Sequence, residues 1–110
     1  MQSKAMKENE TSEKVFERTL SKYVEDCGGM AIKLLSQFLK GLPDRMFLLP
    51  GGVVIFVEFK STGKAPTKIQ TYIHTKIKVL GFLVYVVDSV EKYEEVKGLV
   101  KRLTSKYNGR

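Results

Sequence analysis

The stretch 41-GLPDRMFLLPGGVVIFVEFK-60 decides the fold. Two apolar runs flank Pro50-Gly51-Gly52, which reads as a β-hairpin with a three-residue loop, glycine supplying the left-handed position. If Leu49 pairs with Val53, counting back sets Met46 opposite Phe56 and Asp44 opposite Glu58. Side chains alternate along a strand, so Glu58 and Lys60 share one face and Phe59 points to the other. Directly opposed residues have Cβ atoms about 4.5–5.5 Å apart. Two carboxylates that close, beside an apolar sheet, repel one another and are poorly solvated, which raises at least one pKa. Lys60 offsets one negative charge. A divalent cation offsets two, and magnesium suits the oxygen donors. Inward-pointing charges also block edge-to-edge strand pairing, and an isolated Glu-x-Lys would say no more than that. An Asp in hairpin register with Glu-x-Lys says more.

Upstream, Phe16, Leu20, Tyr23, Val24 and Cys27 form one apolar helical stripe. Thr11 or Ser12 can cap its start, and Gly28-Gly29 stops it. "MAIKLL" (30–35) reads as a strand and "SQFLKGLP" (36–43) as a connection. Downstream, "STGKAP" is a loop, with Pro66 suited to the first turn of a helix. Ile69, Ile73, Ile77 and Leu80 are expected to be that helix's buried stripe, ended by Gly81. "FLVYVV" (82–87) is a continuous apolar run, expected to be a strand covered on both faces. Asp88 and Glu91 resemble a capping box. Tyr93, Val96, Val100, Leu103 and Tyr107 line a last helix.

The order is αβββαβα. The helix between "VVIFVEFK" and "FLVYVV" is a crossover, so those two strands should be parallel. The expected fold is α/β, a mixed sheet flanked by helices.

At 110 residues, 43% apolar and 28% charged, the chain fits one domain with a real core. Residues 1–10 are expected to be a flexible segment and 11–110 the single domain. A lone cysteine, Cys27, excludes an internal disulfide and a multi-cysteine zinc site. No stretch approaches the roughly 20 apolar residues of a membrane span. The polar start lacks a signal-peptide core. The expectation is an intracellular, cytoplasmic protein. The formal net charge of +7 is compatible with simple solubility or with a polyanionic partner, most often nucleic acid.

"GLPDR", then "FVEFK", then Gln70 resembles the PD-(D/E)xK nucleases. More narrowly, the chain is similar to the virus-type replication-repair nuclease (VRR-NUC) domain over about residues 13–90. The pieces occur in order: a first-helix glutamate, "GG" before a lysine-bearing strand, "GLPDR", "LPGG", "VEFK", a glycine-containing loop, Gln70 and His74, then Gly81 and a strand. Leu42 stands where the family commonly has valine.

The resemblance implies a restriction-endonuclease-like core. It implies catalytic roles for Glu17, Asp44, Glu58, Lys60 and Gln70, with Asp44 and Glu58 binding Mg²⁺ or Mn²⁺, helped by Glu17 and the carbonyl of Phe59. Glu13, one turn before Glu17, is a substitute for it. Lys33, Arg45, Lys64, Lys68 and His74 are candidate DNA contacts, the loop bearing Lys64 and Lys68 foremost; Lys33 is equally readable as a surface lysine, and His74 as a structural histidine or one that orients Gln70. The implied activity is phosphodiester hydrolysis in branched double-stranded DNA. Free-standing members suggest a homodimer cutting four-way (Holliday) junctions, and the compact form is compatible with a phage gene. Flap cleavage, nicking or restriction-like cutting, and DNA binding without catalysis are the alternatives.

Overall fold

The structure is a computed structural model that describes residues 11–107. The segment expected to be flexible, 1–10, lies outside the described residues. The elements are α1 (Ser12–Asp26), β1 (Met30–Lys33), β2 (Arg45–Leu49), β3 (Val53–Phe59), α2 (Lys68–Val79), β4 (Leu83–Val87) and α3 (Val90–Thr104), then a short 3₁₀ turn, Ser105–Tyr107. The expected αβββαβα order holds. Thr11 caps α1, its side chain accepting from the Lys14 amide. Gly28 follows the end of α1 with φ +92°.

The four strands lie in the order β1-β2-β3-β4. The β2–β3 hairpin has the expected register, Leu49 opposite Val53 and Met46 opposite Phe56. β3 and β4 are parallel, as the crossover requires. One sheet face carries Phe47, Leu49, Ile55, Val57, Phe59 and Val87. These pack against Phe16, Leu20 and Val24 of α1 and Val96 and Val100 of α3, forming the core. α1 and α3 are joined over that core by Phe16 against Tyr93, and by the Tyr93 hydroxyl donating to Thr19 Oγ1 at 2.8 Å.

Three local expectations are corrected. The α2 stripe is not buried as a whole: Ile73 is buried, whereas Ile69 and Leu80 are exposed. The helix is turned so that Gln70 and His74 share its inner side with Ile73, which swings the other apolar residues outward. β4 is a sheet edge, yet its apolar run is covered on both faces as expected from Val84 on: Val87 joins the core beside α3 and Val84 is buried on the α2 face, while only Phe82 and Leu83 at its start are exposed. The cap of α3 is Ser89, whose hydroxyl accepts from the Lys92 amide. An Asp88–Glu91 box would start the helix one residue too early. Pro66 likewise precedes the α2 cap, Thr67, which forms a full capping box with Gln70.

Candidate active site

Asp44 lies one residue before β2, where the hairpin ladder ends. Its backbone carbonyl accepts from Leu34, extending the β1–β2 pairing. Its Oδ2 accepts from the Phe59 amide at 2.7 Å, so the carboxylate is fixed to β3. Burial pushes its pKa up, and the Glu17 carboxylate adds to this, against the Phe59 hydrogen bond and the charges of Lys33 and Lys60.

Glu58 projects from the next-to-last residue of β3 toward α2. It is 2% exposed. Gln70 Nε2 donates to its Oε2 at 3.0 Å, and Lys60 Nζ lies 3.6 Å from the same oxygen. The capping box of α2 orients Gln70, because Gln70 Oε1 also accepts from the Thr67 amide at 2.9 Å. The other oxygen, Oε1, has no hydrogen-bond partner and faces His74 Nε2 at 3.7 Å. The Glu58 pKa is pushed up to about 7, by burial first and then by the Asp44 carboxylate. Lys60 works against this, and the charge of Glu13 adds to it.

The structure therefore brings Glu58, Lys60, Gln70 and His74 together, with Asp44 beside them. Glu17 is placed differently. It sits on the α1/α3 side of the sheet, its Oε2 accepting from Lys33 Nζ at 2.7 Å and Arg45 Nε at 2.8 Å. Arg45 also donates to the Ala31 carbonyl. Burial raises the Glu17 pKa, but the bonds from Lys33 and Arg45 prevail and hold it below the usual value. Lys33 and Arg45, expected to face DNA, are thus engaged with Glu17, Lys33 remaining half exposed. His74, also a DNA-contact expectation, is 5% exposed and turned to Glu58. Burial, then Lys78 and Lys60, push its pKa down. Lys64 and Lys68 are exposed, the first in the loop between Lys60 and α2 and the second at the start of α2. Sequence reasoning did not anticipate the tie from the Thr62 amide to Ser12 Oγ at 3.1 Å, which holds the loop after Lys60 against the start of α1.

No group of three His, Cys, Asp or Glu side chains among the described residues forms a ready cation cage. The donor set nevertheless fits a hard divalent ion. A buried Glu58 and a partly buried Asp44, both pushed toward neutrality, and an unpartnered buried Glu58 Oε1 would all be relieved by a cation.

A mixed four-strand sheet flanked by helices, with an acid before the first strand of the hairpin facing Glu-x-Lys at the end of the second, defines a restriction-endonuclease-like nuclease fold. No family model matches the sequence. A curated relative, "Putative nuclease p44" of Acyrthosiphon pisum secondary endosymbiont phage 1, is 42% identical over 73 residues, covering 66% of this chain and 78% of the relative. A solved structure described as a VRR_NUC domain superposes with TM-score 0.62 at 31% identity, covering 74% of this chain and 92% of that one. The chain belongs to the VRR-NUC nuclease family. No helix among the described residues is long and apolar enough to cross a membrane.

Proposed function

We propose that the protein is a metal-dependent endodeoxyribonuclease that cuts branched DNA, four-way junctions above all, as a homodimer. The observation that carries catalysis is Glu58: a buried carboxylate with one oxygen held by Gln70, near Lys60, and the other without a hydrogen bond. A structural acid would be paired or exposed. This one is poised to accept a cation.

Asp44 and Glu58 would hold Mg²⁺ or Mn²⁺, together with the Phe59 carbonyl. A bound ion would supply Lewis acidity and charge neutralisation at the scissile phosphate. Lys60 positions the attacking water and stabilises the negative charge that grows on the phosphate. Gln70 fixes the Glu58 carboxylate against rotation. Glu17 would join only by giving up Lys33 and Arg45. Glu13, one turn earlier, adds its charge to Glu58 as Glu17 does to Asp44, and without Lys33 and Arg45 to give up it is the alternative carboxylate of α1.

Lys64 and Lys68 are exposed beside the site and would follow the phosphate backbone, which sets affinity without reading bases. Two copies on a two-fold axis would set two sites on a symmetric branched substrate. The phage relative supports action on DNA inside a host cell.

The test is a panel of labelled junction, flap, splayed-arm and linear duplexes, with Mg²⁺, Mn²⁺ or chelator. The junction is expected to be cut preferentially and only with metal. Lys60→Ala should lose roughly 100-fold or more in rate while still binding DNA. Equal cutting of linear duplex rejects shape selectivity, and cutting in chelator rejects the metal. Unchanged cutting by Lys60→Ala removes the lysine from the chemistry.

A further inference from the structure

The outer side of α2 and the neighbouring 36–42 segment carry an apolar surface that the catalytic reading leaves unused. Phe38 is 95% exposed, Leu80 75%, Tyr72 58% and Leu39 48%. Leu39 and Leu42 face Tyr72, Ile77 and Leu80 across a groove of about 440 Å³, with Ile73 also lining it. The one charged residue in its lining, Lys76, lies over the Tyr72 ring at 5.4 Å. The surface is open because α2 spends its inner side on Gln70 and His74.

We infer that this is the surface through which two copies of the chain meet about a two-fold axis. It rests on the dimeric reading proposed above and adds the contact face. Phe38, almost wholly exposed, immediately precedes Leu39 in the wall of the apolar groove. Knob and groove side by side are what a self-complementary contact needs, each copy's ring entering the other's groove. The area agrees. Aromatic side chains present about 150–250 Å² each when free, and aliphatic ones less. Scaled by exposure, Phe38, Leu39, Ile69, Tyr72, Val79 and Leu80 offer on the order of 700 Å², close to the roughly 800 Å² per partner of a standard interface. A monomer's largest apolar patch is typically about 300–600 Å².

Gly41 pins the segment to the helix: a Cβ there would lie 2.6 Å from the Ile69 carbonyl oxygen. The groove is therefore built into the fold. Because Gln70 and His74 occupy the opposite side of α2, joining two copies here leaves both Glu58 sites uncovered.

The test is molar mass by light scattering and sedimentation over a wide concentration range, on the full chain. Wild type is expected to approach twice the 12.5 kDa chain mass. Phe38→Asp and Tyr72→Glu should stay at the single-chain mass with circular dichroism unchanged, since both side chains are exposed. Val90→Asp, exposed elsewhere, should dimerise as wild type does. Added salt should tighten the dimer, because copies of charge +7 repel, while it weakens phosphate binding. A wild type that is monomeric throughout overturns the inference, as do folded Phe38→Asp and Tyr72→Glu variants that still dimerise. Cleavage is read on the same samples. A monomeric wild type that cuts junctions sinks the interface alone. A dimer lost in both variants, without metal-dependent cutting, supports the interface and sinks the nuclease reading.

Discussion

Glu58 Oε1 and His74 Nε2 face each other at 3.7 Å in the interior, and neither atom has a hydrogen bond. The carboxyl group is pushed up to about 7 by burial and by Asp44. The native state therefore holds a proton there that the unfolded chain releases near the ordinary glutamate value. Glu58 contributes stability below that ordinary value, and the contribution is lost as pH rises through about 7. Without divalent metal, the melting temperature is expected to fall by several degrees between pH 5 and pH 8. Glu58→Gln should flatten that slope. Mg²⁺ should raise the melting temperature more at pH 8 than at pH 5, since it replaces the proton. Calorimetry in chelator and in Mg²⁺ reads all three, and a metal effect equal at both pH values would count against the site.

Glu17 behaves in the opposite sense. Its pKa is held down by Lys33 and Arg45 despite burial, so its contribution is present above the ordinary glutamate value and lost as pH falls. Glu17→Gln leaves two cations without their carboxylate. The expected cost is about 2 kcal/mol, less than for a fully buried pair because Lys33 is half exposed. Glu13→Gln should leave the melting temperature unchanged and weaken metal-dependent cleavage. Measuring both quantities on both variants separates scaffold from ligand, and the reverse pattern would restore Glu17 as the metal-binding acid.

Gly41→Ala should damage both stability and activity. The backbone there has φ +91°, and an added Cβ would meet the Ile69 carbonyl oxygen at 2.6 Å. The strain costs about 1–2 kcal/mol, and relief of the clash moves α2, which carries Gln70 and His74. Gly63→Ala is the control: its φ is +84° but nothing lies within 4 Å. It should lose a little stability and keep its cleavage rate, as denaturation and single-turnover assays would show.

Lys64→Ala and Lys68→Ala should each weaken binding to every DNA substrate alike. Each should also reduce the slope of log affinity against log salt by about one. A change in substrate preference instead would mean that these lysines read branch geometry.

The hairpin register was legible because a three-residue glycine loop and period-two alternation leave one pairing. With it came Asp44, Glu58 and Lys60. The helical step from Gln70 to His74 was also visible, and it explains what went unread. Two polar residues on one helix side compete with Ile69 and Leu80 for the sheet, and the polar pair prevails because Glu58 waits there. The apolar run of β4 was legible too, since Val84 and Val87 are buried on opposite faces; its place at the sheet edge was not, because an apolar run looks the same at an edge as in a centre. The Glu17 cluster had a signal that could have been used. Lys33 opposes Arg45 in register, and two like charges facing each other call for a carboxylate between them.

Asp44 accepts the Phe59 amide just beyond the last rung of the β2–β3 ladder, where Arg45 stands opposite Val57. The aspartate is thus part of the masonry as well as of the proposed chemistry. A lineage drifting away from cleavage could shed Lys60 at little structural cost, but would retain Asp or Asn at position 44 to keep the hairpin end closed. Among descendants of this fold, an intact aspartate is poor testimony of a living enzyme, and the lysine is the residue to question.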